Sequence, residues 1–290
     1  MIEILLSIHL LLLQAGPAVS GASVSPKLLA TIGKKGTDPA EFYSPEALAL
    51  DERGTLYASD AGTNRIQVFD SMGVYLREIS GEDVFKGIAG LALSGTTGLL
   101  VADLPGRELL RVDRYGSPLG EFYKPEGTLF LPQGLVVARS GDVLVCEGGS
   151  HRILVLSAVG DLLRSFGGFG TGSGNLSDPI GAVVREPDKT IWVVERGNSR
   201  IQSFSYWGEP QGILGKGKLK SPESVTLDGK GRIWIADTGH DRVVAFSEAG
   251  EEIGEIKGLA RPGFVLCSGT RLYISDTGNH RVLVYGLEGH

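Results

Sequence analysis

The sequence predicts an all-β protein, a six-bladed β-propeller of four-stranded antiparallel blades, and three observations lead to this prediction. First, a motif of about 43 residues occurs six times, which is the signature of a repeat architecture. Second, each copy contains four short runs rich in Val, Ile and aromatic residues, bounded by glycine, a pattern typical of an antiparallel meander. Third, the last copy lacks its outermost run, and a matching run occurs near the N-terminus at Leu28–Ile32.

Aligned columns define the repeat. Each copy has an acid, preceded by a large apolar residue and followed by a glycine at constant spacing, and in five copies an arginine stands five residues after the acid. The pairs are Asp60 and Arg65, Glu147 and Arg152, Glu195 and Arg200, Asp237 and Arg242, and Asp276 and Arg281. The second copy has Asp103 and Glu108 instead. Units of this size bury both faces only by stacking on neighbours, so a single domain is expected over residues 21–290.

The predicted blades follow the repeat. They cover residues 44–80, 87–122, 131–167, 178–215, 221–257 and 261–290, the last being completed by residues 27–33. A strand from the N-terminus in the last blade would close the ring and remove an open sheet edge. Each innermost strand begins at a proline, except that Gly87 takes this place in the second blade. The prolines are Pro45, Pro132, Pro179, Pro222 and Pro262.

The first twenty residues predict a signal peptide. An apolar run from Ile4 to Leu13 is about half as long as a membrane span and is followed by small residues suited to cleavage after Ser20. The segment before the run has Glu3 and no Lys or Arg, which is atypical for an export signal. A misassigned start codon or an uncleaved apolar tail are the alternatives. The expected location is extracytoplasmic, either periplasmic or secreted, with no membrane span.

The charge balance of the chain indicates which classes of partner to expect. The chain of 290 residues has 28 basic and 34 acidic residues and a formal net charge of −6. This balance provides no general attraction to nucleic acids or anionic lipids, so no nucleic-acid partner is expected. The two cysteines, Cys146 and Cys267, fall in different columns of different copies and are predicted to be free thiols of the core.

The motif also resembles a known family. The segment Asp276-Thr277-Gly278-Asn279-His280-Arg281, together with the proline that opens each innermost strand, resembles the NHL repeat, and the resemblance extends over residues 27–290. It implies a six-bladed propeller. Members of the family include RNA-binding propellers, sensor domains of bacterial receptor kinases and a peptide-amidating lyase, so the resemblance does not assign one function.

The repeated acid and arginine are interpreted as structural. A residue needed once for chemistry has no reason to occur in every blade, so each pair is expected to close a hairpin; a charged binding ring is the alternative. Glycines in these hairpins are expected to provide a positive φ. They are Gly62, Gly149, Gly197, Gly239 and Gly278. Trp192 and Trp234 share a column with leucines and tyrosines and are expected between blades.

Function is expected where the copies differ. Three histidines, His151, His240 and His280, fall in the acid-to-arginine hairpins on the loop face. A zinc site would require their side chains to converge, and solvated loop histidines are the alternative. The second copy also differs, with Pro105 in place of the hairpin glycine, and either drift or recognition by a partner would explain this.

The residues that follow the prolines should line the axis of the ring. Polar ones are Glu46, Gln133 and Glu223, and the corresponding residues elsewhere are Ile88, Ile180 and Gly263. Two carboxylates and an amide could hold Ca²⁺ with water, because hard cations prefer oxygen ligands. Otherwise no cofactor is predicted.

Aromatic residues in the crossing loops are expected either to contact a protein or peptide or to pack beneath the loops. They are Phe42, Tyr43, Phe122, Tyr123 and Phe130. The sequence shows no evident catalytic constellation. It therefore predicts an exported binding or scaffolding module that recognises a protein, peptide or envelope ligand through the loops of one face. The alternative is a metal-dependent enzyme, similar to a lyase or a lactonase, with its site in the central channel.

Overall fold

The computed structural model describes residues 23–82, 84–95, 98–123, 131–186 and 188–287. Within these residues, strands form six four-stranded antiparallel sheets. The predicted signal peptide, Phe130 and the glycine column of the last copy, Gly289, lie outside the described residues.

Five sheets are built from consecutive strands, with the innermost strand first. Blade 1 contains β2 (Pro45–Leu50), β3 (Leu56–Asp60), β4 (Arg65–Phe69) and β5 (Tyr75–Ser80). Blade 2 contains β6 (Ile88–Ser94), β7 (Gly98–Asp103), β8 (Glu108–Asp113) and β9 (Pro118–Tyr123). Blade 3 contains β10 (Pro132–Val137), β11 (Val143–Glu147), β12 (Arg152–Leu156) and β13 (Leu162–Gly167). Blade 4 contains β14 (Pro179–Arg185), β15 (Thr190–Glu195), β16 (Arg200–Phe204) and β17 (Pro210–Leu214). Blade 5 contains β18 (Ser224–Leu227), β19 (Ile233–Asp237), β20 (Arg242–Phe246) and β21 (Glu252–Ile256).

The sixth sheet closes the ring, as predicted. Its strands are β22 (Pro262–Ser268), β23 (Arg271–Asp276), β24 (Arg281–Gly286) and, outermost, β1 (Lys27–Ile32). Strand β1 pairs antiparallel with β24, so the beginning and end of the described chain lie in one sheet. The β24 edge is thereby hydrogen-bonded.

The hydrophobic core lies between blades. One cluster joins Tyr57 and Ile66 of blade 1 to Leu99 of blade 2, and another joins Phe42 and Phe69 to blade 6. Because both faces of each sheet carry apolar residues, each blade packs against two neighbours. Trp192 and Trp234 belong to such clusters and are only 9% and 0% exposed, which confirms their predicted place between blades.

Both cysteines are free thiols, and burial raises the pKa of each to about 12. Cys146 is fully buried and Cys267 is half-buried. Since the thiolate is the reactive form, neither side chain is activated as a nucleophile.

The acid and arginine columns connect the parts of each blade. Within blades 1, 3, 4, 5 and 6 the acid that ends the second strand is paired across the hairpin with the arginine that begins the third. The Nε-to-carboxylate distances lie between 2.5 and 3.6 Å. The acids also accept backbone N–H groups of the crossing loop that leads into the same blade, as when Asp60 accepts from Ser44 at 2.7 Å and Asp237 from Lys220 at 2.8 Å. Asp60, Glu195, Asp237 and Asp276 therefore each link a hairpin to a crossing loop.

The prediction that the hairpin glycines provide a positive φ is wrong. In these loops the left-handed residue is instead the one directly before the arginine column, with φ between 48° and 58°. Those residues are Asn64, Arg107, His151, Ser199, Asp241 and His280. The hairpin glycine, two residues before this left-handed residue, is needed because the crossing loop packs closely against it. A Cβ on Gly62 would lie 2.4 Å from the Tyr43 ring, and one on Gly197 would lie 2.4 Å from Ser177 Oγ.

Candidate functional site

A cavity of about 400 Å³ lies on the axis, where the six innermost strands begin. The structure brings the residues expected at this place together around the cavity, one from each blade. They are Glu46, Ile88, Gln133, Ile180, Glu223 and Gly263. Glu46, Gln133 and Glu223 are half-buried, so their polar groups can reach both the cavity and the solvent at its mouth.

Five of the six innermost strands are irregular where they begin at the cavity. The pairing register shifts immediately after the first residue of β2, β6, β10, β14 and β22. A register shift of this type re-aims a side chain relative to regular pleating. Threonine hydroxyl groups stabilise the beginnings of two of these strands. Thr277 Oγ1 donates to the Pro45 carbonyl at 2.7 Å, and Thr238 Oγ1 donates to the Pro262 carbonyl at 2.7 Å.

Two arginines that sequence reasoning missed also line the cavity. Arg196 directly follows the acid of blade 4, and Arg261 directly precedes the proline that opens β22. A signal for Arg196 was present, because the other blades have uncharged residues in this column. They are Ala61, Leu104, Gly148, Thr238 and Thr277. A charge that appears once in a repeated column points to a local role.

Ion pairing within the cavity is uneven. Arg196 Nε lies 2.7 Å from Asp178 Oδ2, whereas Arg196 Nη1 lies 3.9 Å from Glu223 Oε1. Arg196 is thus mainly paired with Asp178. Glu46 accepts a hydrogen bond of 3.5 Å from Ser44 Oγ, at the long limit for such a bond. The two glutamates therefore have weak partners.

The pKa values of the two glutamates reflect this setting. Burial raises the pKa of Glu46, and the Ser44 hydroxyl and Arg261 only partly oppose it. Burial also raises the pKa of Glu223, with the negative charge of Glu46 adding to the rise while Arg196 and Arg261 act against it. The two carboxylates thus interact unfavourably when both are ionised.

The three histidines do not come together. His240 Nδ1 lies 2.8 Å from Asp237 Oδ2, and His280 Nδ1 lies 2.7 Å from the Tyr43 carbonyl. His151 Nδ1 accepts a 3.1 Å hydrogen bond from the Asp178 backbone. Each histidine thus has a partner in its own or an adjoining loop. In the described part of the chain, no three His, Cys, Asp or Glu side chains form a group that could hold a metal ion.

The crossing-loop aromatics divide between the two expected roles. Tyr43 is 53% exposed, whereas Phe42 is fully buried and Phe122 is nearly so. Tyr123 is half-buried against the blade 2 and 3 core. Sequence reasoning missed Phe169, which is 75% exposed and packs on His151 with ring centroids 4.9 Å apart. Tyr43 and Phe169 therefore present aromatic surface on the loop face.

The irregular second blade has a packing explanation. Its Pro105 lines the cavity, and a Cβ on Gly87 would lie 3.0 Å from the Pro105 ring. The hairpin glycine and the strand-opening proline have thus exchanged places, so that the loop and hairpin still fit. This favours compensated drift over a separate recognition surface at this point.

Sequence comparison identifies the repeat. A family model described as NHL repeat matches residues 42–69. The protein is a six-bladed β-propeller that contains an NHL repeat. The chain is 32% identical over 120 residues to Protein brain tumor of Drosophila melanogaster, a match that covers 41% of this chain and 12% of that protein. It is 47% identical over 38 residues to NHL repeat-containing protein 3 of Homo sapiens, covering 13% and 11%. The chain thus matches only a small part of each relative's length.

Solved structures share the fold of this NHL-repeat propeller. Virginiamycin B lyase from Staphylococcus aureus superposes with a TM-score of 0.66 at 14% identity over 91% of this chain and 99% of that one. XC5397 from Xanthomonas campestris, a gluconolactonase, gives a TM-score of 0.71 at 18% identity over 92% and 98%. At these identities the similarity shows the fold alone. Among the residues that the structure describes, no helix has the length and apolar character of a membrane span.

Proposed function

We propose that this NHL-repeat propeller is an exported binding module that holds a protein or peptide ligand on its loop face, with the axial cavity at the centre of the contact. One observation carries the proposal. The repeated acids and arginines are used in contacts between hairpins and crossing loops, whereas several polar residues that differ between blades line one cavity: Glu46, Gln133, Arg196, Glu223 and Arg261. Differences that converge are expected of a recognition site.

The surroundings of the cavity support a macromolecular ligand. A volume of about 400 Å³ accommodates one or two amino-acid residues. The same face carries the exposed rings of Tyr43 and Phe169. Exposed aromatic residues around a polar centre are common in protein and peptide contacts. The ligand would insert a short segment at the axis and contact the surrounding loops.

Capture of partners by the mature protein, residues 21–290, tests this function. We expect immobilised protein to retain a specific protein or peptide from an envelope extract of the source cells, and Tyr43→Ala with Phe169→Ala to reduce the retained amount at least fivefold. Tyr115→Ala is the matched control, because Tyr115 is 78% exposed in the β8–β9 hairpin on the opposite face. Retention that is unchanged by the loop-face variant, or lost in Tyr115→Ala, would contradict the proposal.

Export is a separate part of the proposal and rests on the apolar run at Ile4–Leu13. A full-length chain fused to a reporter that is active only outside the cytoplasm should give signal, and a chain beginning at Gly21 should not. Equal signal from both chains would remove export from the proposed function.

An enzymatic use of the cavity is the alternative function. Glu46 and Glu223 have raised pKa values in a concave site, and carboxyl groups of this kind serve in proton transfer. Solved structures of the same fold include a lyase and a gluconolactonase. Among the described residues, no three His, Cys, Asp or Glu side chains come together as ligands of a metal ion, so a metal-dependent version would have to use Gln133 or water beside the two glutamates. Turnover of virginiamycin B or of a gluconolactone that is abolished by Glu223→Gln would favour the enzyme over the binding module.

A further inference from the structure

The charges around the axial cavity are not balanced. Asp178 pairs with Arg196 at 2.7 Å, and Arg196 makes only a longer contact of 3.9 Å with Glu223, so Glu46, Glu223 and Arg261 are the charges of the cavity that this close pair does not neutralise. Two acids and one base remain. A ligand that enters is therefore favoured if it contributes one positive charge, and a second anion is disfavoured.

The strand between the two glutamates has a glycine, and so no side chain, where it lines the cavity. Glu223 belongs to the start of blade 5 and Glu46 to blade 1, and the strand between them, β22 of blade 6, carries Gly263 at the same place. A Cβ added to Gly263 would lie 3.6 Å from Glu223 Oε2 and 2.8 Å from Thr277 Oγ1. A side chain there would crowd this gap. Glycine thus keeps space beside the Glu223 carboxylate, on the strand that lies between the two acids.

The opposite wall of the cavity is apolar. Ile88 and Ile180 line it beside the Gln133 amide, and half-buried Ile180 offers more apolar surface than Ile88, which is only 3% exposed. The cavity consequently combines an anionic side, an apolar side and Arg261, which is exposed to solvent. This combination suits a short aliphatic stem that ends in a cation and is attached to a group with hydrogen-bond acceptors, such as a peptide carbonyl.

We propose that the cavity binds a primary ammonium group of a peptide between Glu46 and Glu223, with its aliphatic part against Ile88 and Ile180 and a peptide carbonyl facing Arg261. This inference rests on the proposed peptide-binding function. The ammonium group can come from a lysine side chain or from a free amino terminus, since both have the same charge and donors. Binding would relieve the repulsion between the two ionised glutamates.

Three fluorescently labelled Gly-Ser hexapeptides test the inference with the mature protein. One has a free amino terminus and no lysine, the second is acetylated and has one central lysine, and the third is acetylated and uncharged. We expect the first or the second to bind, as measured by fluorescence anisotropy, and the third to bind at least tenfold more weakly. Binding of the first identifies the amino terminus as the source of the ammonium group, and binding of the second identifies lysine.

The glutamates are tested with isosteric variants. Glu46→Gln and Glu223→Gln should each weaken binding of the charged peptide by roughly tenfold to a hundredfold, the range for losing a charged hydrogen-bond partner. Glu209→Gln is the control, because Glu209 is exposed at the opposite rim, at the start of the outer strand of blade 4. It removes the same charge without touching the cavity. Thermal unfolding of each variant establishes that it is folded.

The outcomes separate this inference from the proposed function. If the uncharged peptide binds as tightly as the charged ones, or if the glutamine variants bind normally, the ammonium site is overturned while peptide binding stands. Tight binding of Ca²⁺ or Zn²⁺ that displaces the charged peptide and depends on both glutamates would replace the ammonium site with a metal site. If none of the three peptides binds although a partner is captured from extract, the inference fails and the proposed function stands. If neither binds, both fail.

Discussion

Arg200 and Glu195 face each other across the β15–β16 hairpin at 2.5 Å, and both side chains are buried. The Arg200 guanidinium also donates to the backbone carbonyls of Thr171, Gly172 and Asn175 in the crossing loop. One arginine therefore holds the hairpin and the loop of blade 4 together. A buried ion pair of this kind is costly to break, because removal of one partner leaves an uncompensated charge.

Arg200→Ala should lower the free energy of unfolding by about 3–5 kcal/mol, since Glu195 and three loop carbonyls would lose their partner. Arg185→Ala is the control. Its partners Asp188 and Glu248 are 49% and 60% exposed, and exposed ion pairs contribute about 0–1 kcal/mol. Chemical denaturation followed by tryptophan fluorescence measures both. Similar losses in the two variants would refute the role given to Arg200.

Gly197→Ala should destabilise the protein by about 1–3 kcal/mol, the usual cost of overpacking. The new Cβ would lie 2.4 Å from Ser177 Oγ and 3.0 Å from its carbonyl. Gly229→Ala is the matched control, because a Cβ there meets nothing within 4 Å. Equal melting temperatures for Gly197→Ala and the unmodified protein would show that the hairpin does not require glycine for close approach.

The sequence repeat made the fold predictable, but it did not reveal the backbone conformation of the hairpin loops. Strand order and the closure by β1 follow from periodicity, which the sequence displays directly. The role of Gly62 was assigned incorrectly because a glycine can serve either a positive φ or a close approach, and only the position of Tyr43 distinguishes them. Backbone conformation depends here on a loop that is distant in the chain.

Only some of the residues that line the axial cavity could be predicted from the sequence. Glu46 and Glu223 were found because the proline column places them at the start of the innermost strands. Arg261 was missed because the residue before the proline belongs to a loop, where sequence does not fix the direction of a side chain. Whether the acids were paired could not be read from sequence either, because the pairing of Arg196 with Asp178 depends on the crossing loop.

Ile32→Ala should weaken ring closure. Ile32 lies in β1, is 6% exposed and packs in the cluster between blades 6 and 1, so the substitution should cost about 2–5 kcal/mol. Leu28→Ala, in the same strand, should cost far less because Leu28 is 49% exposed. Urea denaturation compares the two. If the two losses are equal, burial of β1 is not what stabilises the closed ring.

The glutamates of the cavity should make stability depend on pH. Burial raises the pKa of Glu46 and Glu223 above the ordinary value of 4.5. As pH rises above 4.5, the folded protein keeps protons that the unfolded chain has released, so these groups lower the free energy of unfolding with increasing pH until they ionise in the folded state as well. The double variant Glu46→Gln with Glu223→Gln lacks this effect. Its stability relative to the unmodified protein should therefore increase as pH rises from 4.5 towards 8.

Urea denaturation at intervals from pH 4 to pH 8 measures this difference, and the same titration of Glu209→Gln with Glu251→Gln is the control. Glu209 and Glu251 are exposed, so the free energy of unfolding of this control variant should differ from that of the unmodified protein by a nearly constant amount at all pH values. A bound ammonium peptide should reverse the trend, because it stabilises the ionised carboxylates and so binds more tightly as pH rises through the same interval. The prediction is wrong if the difference in free energy of unfolding between the cavity variant and the unmodified protein is constant with pH or decreases as pH rises. Either result would mean that folding does not raise the pKa of the two carboxylates.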